Sequence, residues 1–463
     1  MAATPRKHVL IIALPAYGHL IPLLELGRKV VKYHDVTFAV SHSRVADIKA
    51  RELASEADFP FYGIPDGFVE TNVQLIDRTE FAAMMEKVLP AIRKLLETVP
   101  TGNDRPSVDG PSGITRPVDV VIGDNIAAPS LRVCHDRDIP YYFFNTAAAS
   151  LTLGCLIVDE NYPTIPESEE DILKFMEMPP PNAPPPPMSV MFKQIMMPIR
   201  ETMPLVKGIV FNSIRSMEAE MLAIIQSFPI MKDLPVYFVG PLVPETEKVS
   251  VAQLDQQEKV RKWLDRQAER SVVYVSFGSV VVPMTEQLAE IAKGLRKTGK
   301  PFIWSVPTRA HHELPDDIAS KIAGQFETED SDFLILPWAP QKLILQHPAT
   351  AVFVSHCGWN STLESVATGV PVVGWPMFGD QKLNAEWLVD RKMAVMVEEF
   401  GLKPKRVLTA AELESAIRRV GWNGDSADTS YRQAALEWKQ KAATGPGSDS
   451  NLDILRLVSD IQS

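Results

Sequence analysis

The stretch that decides the fold is residues 338–381, WAPQKLILQHPATAVFVSHCGWNSTLESVATGVPVVGWPMFGDQ. Two short apolar runs, FLILP at 333–337 and AVFVS at 351–355, enclose an amphipathic segment, and VPVVGW at 370–375 follows a second helical segment. Strand, helix, strand, helix, strand predicts a parallel sheet with helical crossovers. In such sheets ligands sit beyond the carboxyl ends of the strands, where helices begin with N–H groups that have no partner in the helix. His356, Gly358, Trp359, Asn360 and Ser361 occupy such a position. The helix they introduce is expected over 361–368, because Gly369 suits the position just past a helix end and Pro371 cannot continue it. Its N-terminus offers roughly half a positive charge to an anion. Each residue also has a purely structural reading. Ser361 followed by Glu364 is the pattern of a capping box, Trp338 could be a core residue under a loop, and His356 could be a satisfied buried imidazole. It is the joint occurrence, with the spacing intact, that favours a ligand site over these readings.

WAPQ, HCGWNS, LES, GVP, WP and DQ, in that order, resemble the C-terminal signature of plant family 1 UDP-dependent glycosyltransferases, the secondary-product glucosyltransferases. The resemblance implies an α/β chain of the GT-B class, two Rossmann-like domains with parallel sheets facing across a cleft. It also implies roles in donor binding. Trp338 stacks on uracil and Gln341 touches the same ring. His356, Asn360 and Ser361 hold the diphosphate, Glu364 the ribose hydroxyls, and Asp380 with Gln381 the sugar; Ala339 and Trp359, inside the same motifs, join the donor set. Gln381 as the closing residue resembles the members that use glucose.

At 463 residues the chain is too long for one ordinary core, and 45% hydrophobic with 23% charged residues describes a soluble globular enzyme. A net charge of −11 argues against nonspecific nucleic-acid binding, which needs a basic face. A binder of UDP-sugar must then take local positive potential from helix ends. Cys134, Cys155 and Cys357 neither pair into a framework nor carry metal-ligand spacing, so reduced thiols and a cytoplasmic location are expected. VLIIALP near the N-terminus is short for a signal sequence and lacks a cleavage pattern. No apolar run approaches the roughly 20 residues that cross a bilayer, so no membrane anchor is expected.

In the N-terminal half, HVLIIALP at 8–15 reads as a buried strand, AYGHLIP as a Gly-containing turn, LLELGRKVVKYH at 23–34 as a helix and DVTFAV at 35–40 as a strand. His19 then lies at a strand's carboxyl end, where an imidazole with a pKa near working pH can serve as a base. PAYGHLIP resembles the family's entry motif, in which this His takes the acceptor's hydroxyl proton. An orienting carboxylate is sought on DVVIGDN at 119–125: Asp124 closes that strand on the same rim as His19, whereas Asp119 opens it and faces away. Asn125 and Ile126 follow it where the family has a small residue and an aromatic. A cap for the next helix is the structural alternative for Asp124. Thr146, ending the strand PYYFFNT, matches a Thr that reaches the donor sugar in the family, and is equally an ordinary cap. MPPPNAPPPPM within 162–191 implies loop or polyproline structure, and the Met-rich 191–206 is read mostly as core with some part in a tolerant acceptor pocket.

VYFVGPLVPETEKVS at 236–250 begins as a strand and dissolves into Pro and charge, which marks an interdomain crossing. The expected division is 1–243 for acceptor binding, 244–445 for UDP-sugar binding, and 446–463 as a helix returning to the first domain. SVVYVSFGS ends in a Gly turn whose amides, with the Ser279 hydroxyl, suit the outer phosphate. It lacks the GxGxxG of a dinucleotide fold. Helices are expected over 285–296 and 408–420, the latter opening on the capping box Thr409 to Glu412.

The expected activity is inverting transfer of a hexose, glucose by resemblance, from a UDP-sugar to a hydroxyl of a small hydrophobic or phenolic acceptor. His19 and Asp124 would be the catalytic pair. No metal-binding DxD pair stands in a suitable loop, so neither metal nor cofactor is expected, UDP-sugar being a co-substrate. A UDP-sugar hydrolase or epimerase on the same fold, and a nonenzymatic UDP-sugar-binding protein, are the alternatives; a mere binder has no need of the His19–Asp124 pair.

Overall fold

A computed structural model of the chain describes residues 5–51, 53–66, 78–102, 114–161, 164–165, 188–243, 251–278, 281–326, 331–398, 401, 404, 406–422 and 429–463. Its contacts divide it into two units. Met1–Tyr162, Met191–Ser250 and Ala443–Ser463 form the first, and Pro163–Val190 with Val251–Ala442 the second.

The sheet of the first unit has seven parallel strands in the order β3-β2-β1-β4-β5-β8-β9. In chain order these are β1 (His8–Ile12), β2 (Asp35–Ser41), β3 (Phe61–Ile64), β4 (Val120–Asp124), β5 (Tyr141–Asn145), β8 (Gly208–Phe211) and β9 (Val236–Phe238). Between β5 and β8 in the sequence, and belonging to the second unit, β6 (Thr164–Ile165) pairs with β7 (Met188–Ser189), and the proline-rich run lying between those two is outside the described residues. The seven strands read as near-continuous apolar runs because both faces of a parallel sheet are covered. Val9 and Ile11 of β1 pack with Val36 and Phe38 of β2, and with Ile454, Leu457 and Ile461 of the last helix, Asp449–Gln462. That helix is also tied down by polar groups. Ser448 caps it by accepting from the Asn451 N–H, and the buried Asp453 accepts from Arg215 at 2.6 Å and from the Phe238 N–H at 2.8 Å.

Six parallel strands in the order β12-β11-β10-β13-β14-β15 form the sheet of the second unit. They are β10 (Val272–Ser276), β11 (Phe302–Ser305), β12 (Phe333–Leu336), β13 (Thr350–Ser355), β14 (Val372–Gly374) and β15 (Ala394–Met396). Helix Thr285–Lys297 follows β10, and helix Ala410–Gly421 opens on the reciprocal Thr409–Glu412 capping box. In both sheets the chain starts in the middle, winds one way and then the other. Strand order therefore reverses between β1 and β4 in the first unit and between β10 and β13 in the second. Loops at such a reversal splay apart beyond the strand ends and leave room for a ligand.

Two helices start earlier than their residues suggest. The first spans Tyr17–Val30, not 23–34, and carries Pro22 inside it. The His19 and Leu20 N–H groups both bond the Ala16 carbonyl, so AYGHLIP is helix rather than turn. Pro22 removes a single N–H close to the start and brings a helical φ of its own. The helix after β13 spans Trp359–Thr368, with Gly358 at its cap, and ends on left-handed Gly369 at φ 72°. Ser361 is thus inside the helix and forms no capping box with Glu364. In the Met-rich segment a helix covers Val190–Thr202, and Met196, Ile199 and Met203 are buried. Among the described residues no helix is long and apolar enough to cross a membrane.

Candidate functional site

At the reversal point of the first unit, the first helix turn and the end of β4 bring two sequence-distant residues together. His19 Nδ1 lies 2.6 Å from Asp124 Oδ2. The other oxygen, Asp124 Oδ1, accepts from the Ile126 N–H at 3.0 Å and caps the 3-10 turn Asn125–Ala127. One carboxylate thus serves as both cap and imidazole partner, and it has no solvent exposure. A carboxylate at Nδ1 fixes the proton there and directs the ring's acceptor lone pair to Nε2. Thr146 Oγ1 stands 3.3 Å from the same Nδ1. Thr146 caps nothing: helix Ala149–Ile157 takes Ala148 as its N-cap, and the Ala149 N–H bonds Glu218. Thr146 therefore stands with His19 and Asp124 in the first unit, whereas the other donor-site candidates stand in the second. At the opposite end of β4, Asp119 accepts from the His8 N–H at 2.7 Å, a structural tie.

In the second unit the His356 loop follows β13 and the Gly278 turn follows β10. A Cβ on Gly278 or on Gly358 would lie 2.8 or 2.5 Å from His356 Nε2, so the ring occupies the space that two missing side chains leave. Its Nδ1 is shut off from solvent and has no partner among the described residues. Burial holds its pKa down at about 4, which makes it a neutral ring at pH 7. Cys357 carries φ 59°, a left-handed conformation uncommon outside Gly, and so turns the chain sharply into the helix. Its thiol is buried and pushed up to about 12, which makes it packing rather than nucleophile. Ser279 lies outside the described residues.

Trp338 is 46% exposed, a ring on the surface and not a core residue. Ala339 beside it is buried. The Gln341 side chain accepts from the Tyr274 hydroxyl at 3.0 Å, donates to Ser361 Oγ at 3.0 Å, and donates to Glu364 Oε2 as well. Gln341, Ser361 and Glu364 are therefore one network, seated on a tyrosine of the central strand. Trp359 is buried at the first position of the helix and Asn360 is half-buried beside it. The Gln381 carbonyl oxygen accepts from the Met377 and Phe378 N–H groups at 2.8 and 3.1 Å, which fixes which end of the side-chain amide faces that loop. Asp380, half-buried, precedes it.

Sequence reasoning missed three supporting residues. Tyr274 reads as one more strand apolar, although a buried tyrosine hydroxyl needs a partner, and that was the available signal. Left-handed Cys357 has no sequence signature. Asn384, one helical turn past Asp380, gives its amide to the Cys357 carbonyl at 3.0 Å and to Asp380 Oδ2 at 3.1 Å.

Residues 209–435 match the sequence pattern of the family described as UDP-glucoronosyl and UDP-glucosyl transferase. UDP-glycosyltransferase 84B1 of Arabidopsis thaliana is 30% identical over 98% of this chain and 97% of its own length. The chain belongs to the UDP-glycosyltransferase family. UDP-glycosyltransferase 71C2 of the same plant is 27% identical over 97% of this chain and 98% of its own. Among solved structures, a Polygonum tinctorium UDP-glucosyltransferase capable of glucosylating indoxyl, in complex with 3,4-dichloroaniline, superposes with a TM-score of 0.75 at 25% identity and full coverage of both chains. Medicago truncatula UGT71G1 complexed with UDP-glucose does so at 0.74, with 23% identity and 99% of each chain. This plant family 1 glycosyltransferase accordingly has the GT-B fold of two Rossmann-like domains.

Proposed function

We propose that this glycosyltransferase moves a hexose, glucose in our reading, from a UDP-sugar to a hydroxyl of a small hydrophobic or phenolic acceptor, with inversion and without a metal or other cofactor. The observation that carries the proposal is the 2.6 Å contact between His19 Nδ1 and Asp124. His19 Nε2 takes the acceptor's hydroxyl proton as that oxygen attacks the anomeric carbon. The new C–O bond forms as the bond from that carbon to the β-phosphate oxygen breaks, and UDP leaves on the opposite face. Asp124 stabilises the imidazolium that results. General-base help of this kind is worth about 10² to 10⁴ in rate.

On the donor side, Trp338 offers its exposed face to uracil and Glu364, held by Gln341, binds the ribose hydroxyls. The amides of the 359–368 helix, with His356, Asn360 and Ser361, meet the charge that grows on the diphosphate; Ser279 and Ala339 complete that set. One well-placed donor contributes on the order of 3 kcal/mol. Thr146, Asp380 and Gln381 contact the sugar. We place the enzyme in the cytoplasm, where small hydroxylated products of secondary metabolism are its acceptors. The division proposed is 1–243 for the acceptor, 244–445 for the donor and 446–463 as the returning helix.

The test is UDP release from UDP-glucose by purified protein against a panel of phenolic and aliphatic alcohols, with product masses recorded. Acceptor-dependent release with one hexose added to a panel member is expected. Release without a glycosylated product would make the protein a hydrolase instead. His19→Ala should lower transfer by about 10² to 10⁴ while UDP affinity stays within about twofold, as for independent contacts.

A further inference from the structure

We propose that Tyr274 is a positioning residue of the nucleotide site: through Gln341 its hydroxyl sets the direction of a hydrogen-bond chain, so that Ser361 meets the diphosphate as a hydrogen donor. This rests on the donor reading above. Tyr274 lies on the central strand β10, is 1% exposed, and stacks its ring on Phe353 of β13 with centroids 4.9 Å apart. A phenylalanine would serve that packing as well. What the tyrosine adds is a hydroxyl, which donates to Gln341 Oε1 at 3.0 Å. Among the described residues this is the one bond to that oxygen.

The two ends of a side-chain amide are not interchangeable, one accepting and the other donating. With its oxygen held at Tyr274, the Gln341 nitrogen faces helix Trp359–Thr368, where it donates to Ser361 Oγ at 3.0 Å and to Glu364 Oε2. A hydroxyl that accepts a bond keeps its own hydrogen to give. Ser361 is 8% exposed, and among the described residues its hydroxyl hydrogen has no acceptor. Its backbone N–H belongs to the first turn of the helix, which has no carbonyl within the helix to bond. Both hydrogens of Ser361 therefore suit an anion at the helix start. The reversed amide would set its oxygen against Ser361 and Glu364. The serine would then spend its hydrogen inward and turn a lone pair to the phosphates. Removing the Tyr274 hydroxyl leaves the Gln341 oxygen without its donor, and the direction is no longer enforced from the strand.

The test is a pair of double-mutant cycles on the purified full chain, read as UDP Kd by titration calorimetry. Tyr274→Phe, Gln341→Met and Ser361→Ala are made singly, and the first is combined with each of the others. Tyr274→Phe keeps the ring and its stack, and should weaken UDP about three- to tenfold, the worth of one neutral hydrogen bond. In the Gln341→Met background no amide remains to be oriented, so the same change should alter Kd by less than about twofold. In the Ser361→Ala background it should cost less than in the wild type. A loss of full size in either background would overturn the proposal, because Tyr274 would then act on the fold and not through the chain. Unchanged UDP affinity in Tyr274→Phe alone would overturn it too. A wild type that binds no UDP in the same titration would instead remove the donor reading, and this inference with it.

Discussion

In the proposed reaction His19 serves as a base only while its proton sits on Nδ1, and the group beside that atom is a carboxylate with both oxygens occupied. Asp124→Asn preserves the cap on the Ile126 N–H, because the amide oxygen accepts as the carboxylate did. The amide nitrogen then donates to Nδ1 and moves the ring proton to Nε2, where the acceptor must bind. Transfer should fall by about 10² to 10⁴ while thermal stability changes little, and kcat against melting temperature separates the two. His356 yields a second expectation, this one about pH. Its folded-state pKa of about 4 lies below the unfolded value near 6.5, so the unfolded chain binds a proton that the folded chain refuses. The stability it contributes is complete above about pH 6.5 and is lost as pH falls toward 4. Buried His8, also lowered by desolvation, acts in the same direction. The urea midpoint of the wild type should therefore drop from pH 7 to pH 5, and His356→Asn should flatten that slope. The choice of Asp124 over Asp119 was legible because strand direction assigns the two ends of β4 to opposite rims. The 2.6 Å contact was not, because it depends on which strand lies beside β1.

The helix Trp359–Thr368 shows how far local chemistry reaches. Its end was readable from Gly369 and Pro371, since few residues suit a left-handed cap and a proline cannot donate. Its start was not, because Ser361 and Glu364 make a plausible capping box that the protein spends on Gln341 instead. Tertiary partners outcompeted the local pairing. The first helix repeats the lesson, with a Gly and a Pro that imitate a turn inside a regular element. Gly369→Ala places a Cβ at φ 72°, 3.2 Å from Leu436 and Lys439 side chains and 3.3 Å from the Ala435 carbonyl. Denaturant unfolding should show a loss of about 1 to 2 kcal/mol from the left-handed penalty. UDP affinity of the folded protein should be unchanged, because the proposed nucleotide contacts lie at the other end of the helix.

The chain folds into two doubly wound sheets; His19 and Asp124 follow β1 and β4, and His356 follows β13, where the strand order reverses, whereas Trp338 and Gln341 follow β12 and Asp380 and Gln381 follow β14. That placement follows from the winding, which no local pattern reveals: alternating strands and helices announce a parallel sheet but leave the order of its strands open. The last helix is the clearest long-range consequence. Its apolar spacing was readable, yet the polar ties that fasten it to the rest of the first unit were not: Asp453 bonds Arg215 at 2.6 Å and the Phe238 N–H at 2.8 Å, Ser450 bonds the Val239 carbonyl at 2.7 Å, and the Val458 carbonyl meets the His34 ring at 2.8 Å. Asp453→Ala leaves the buried Phe238 N–H without its acceptor, while the Arg215 and Arg456 guanidiniums keep access to solvent. Leaving a buried donor unsatisfied costs about 1 to 3 kcal/mol. The loss should be confined to the unit that holds it. Hydrogen exchange should then show β9 and the 449–462 helix losing protection while β10 and β13 keep theirs, and UDP should still bind. Loss of protection in both sheets together would instead show that the two units unfold as a single cooperative body.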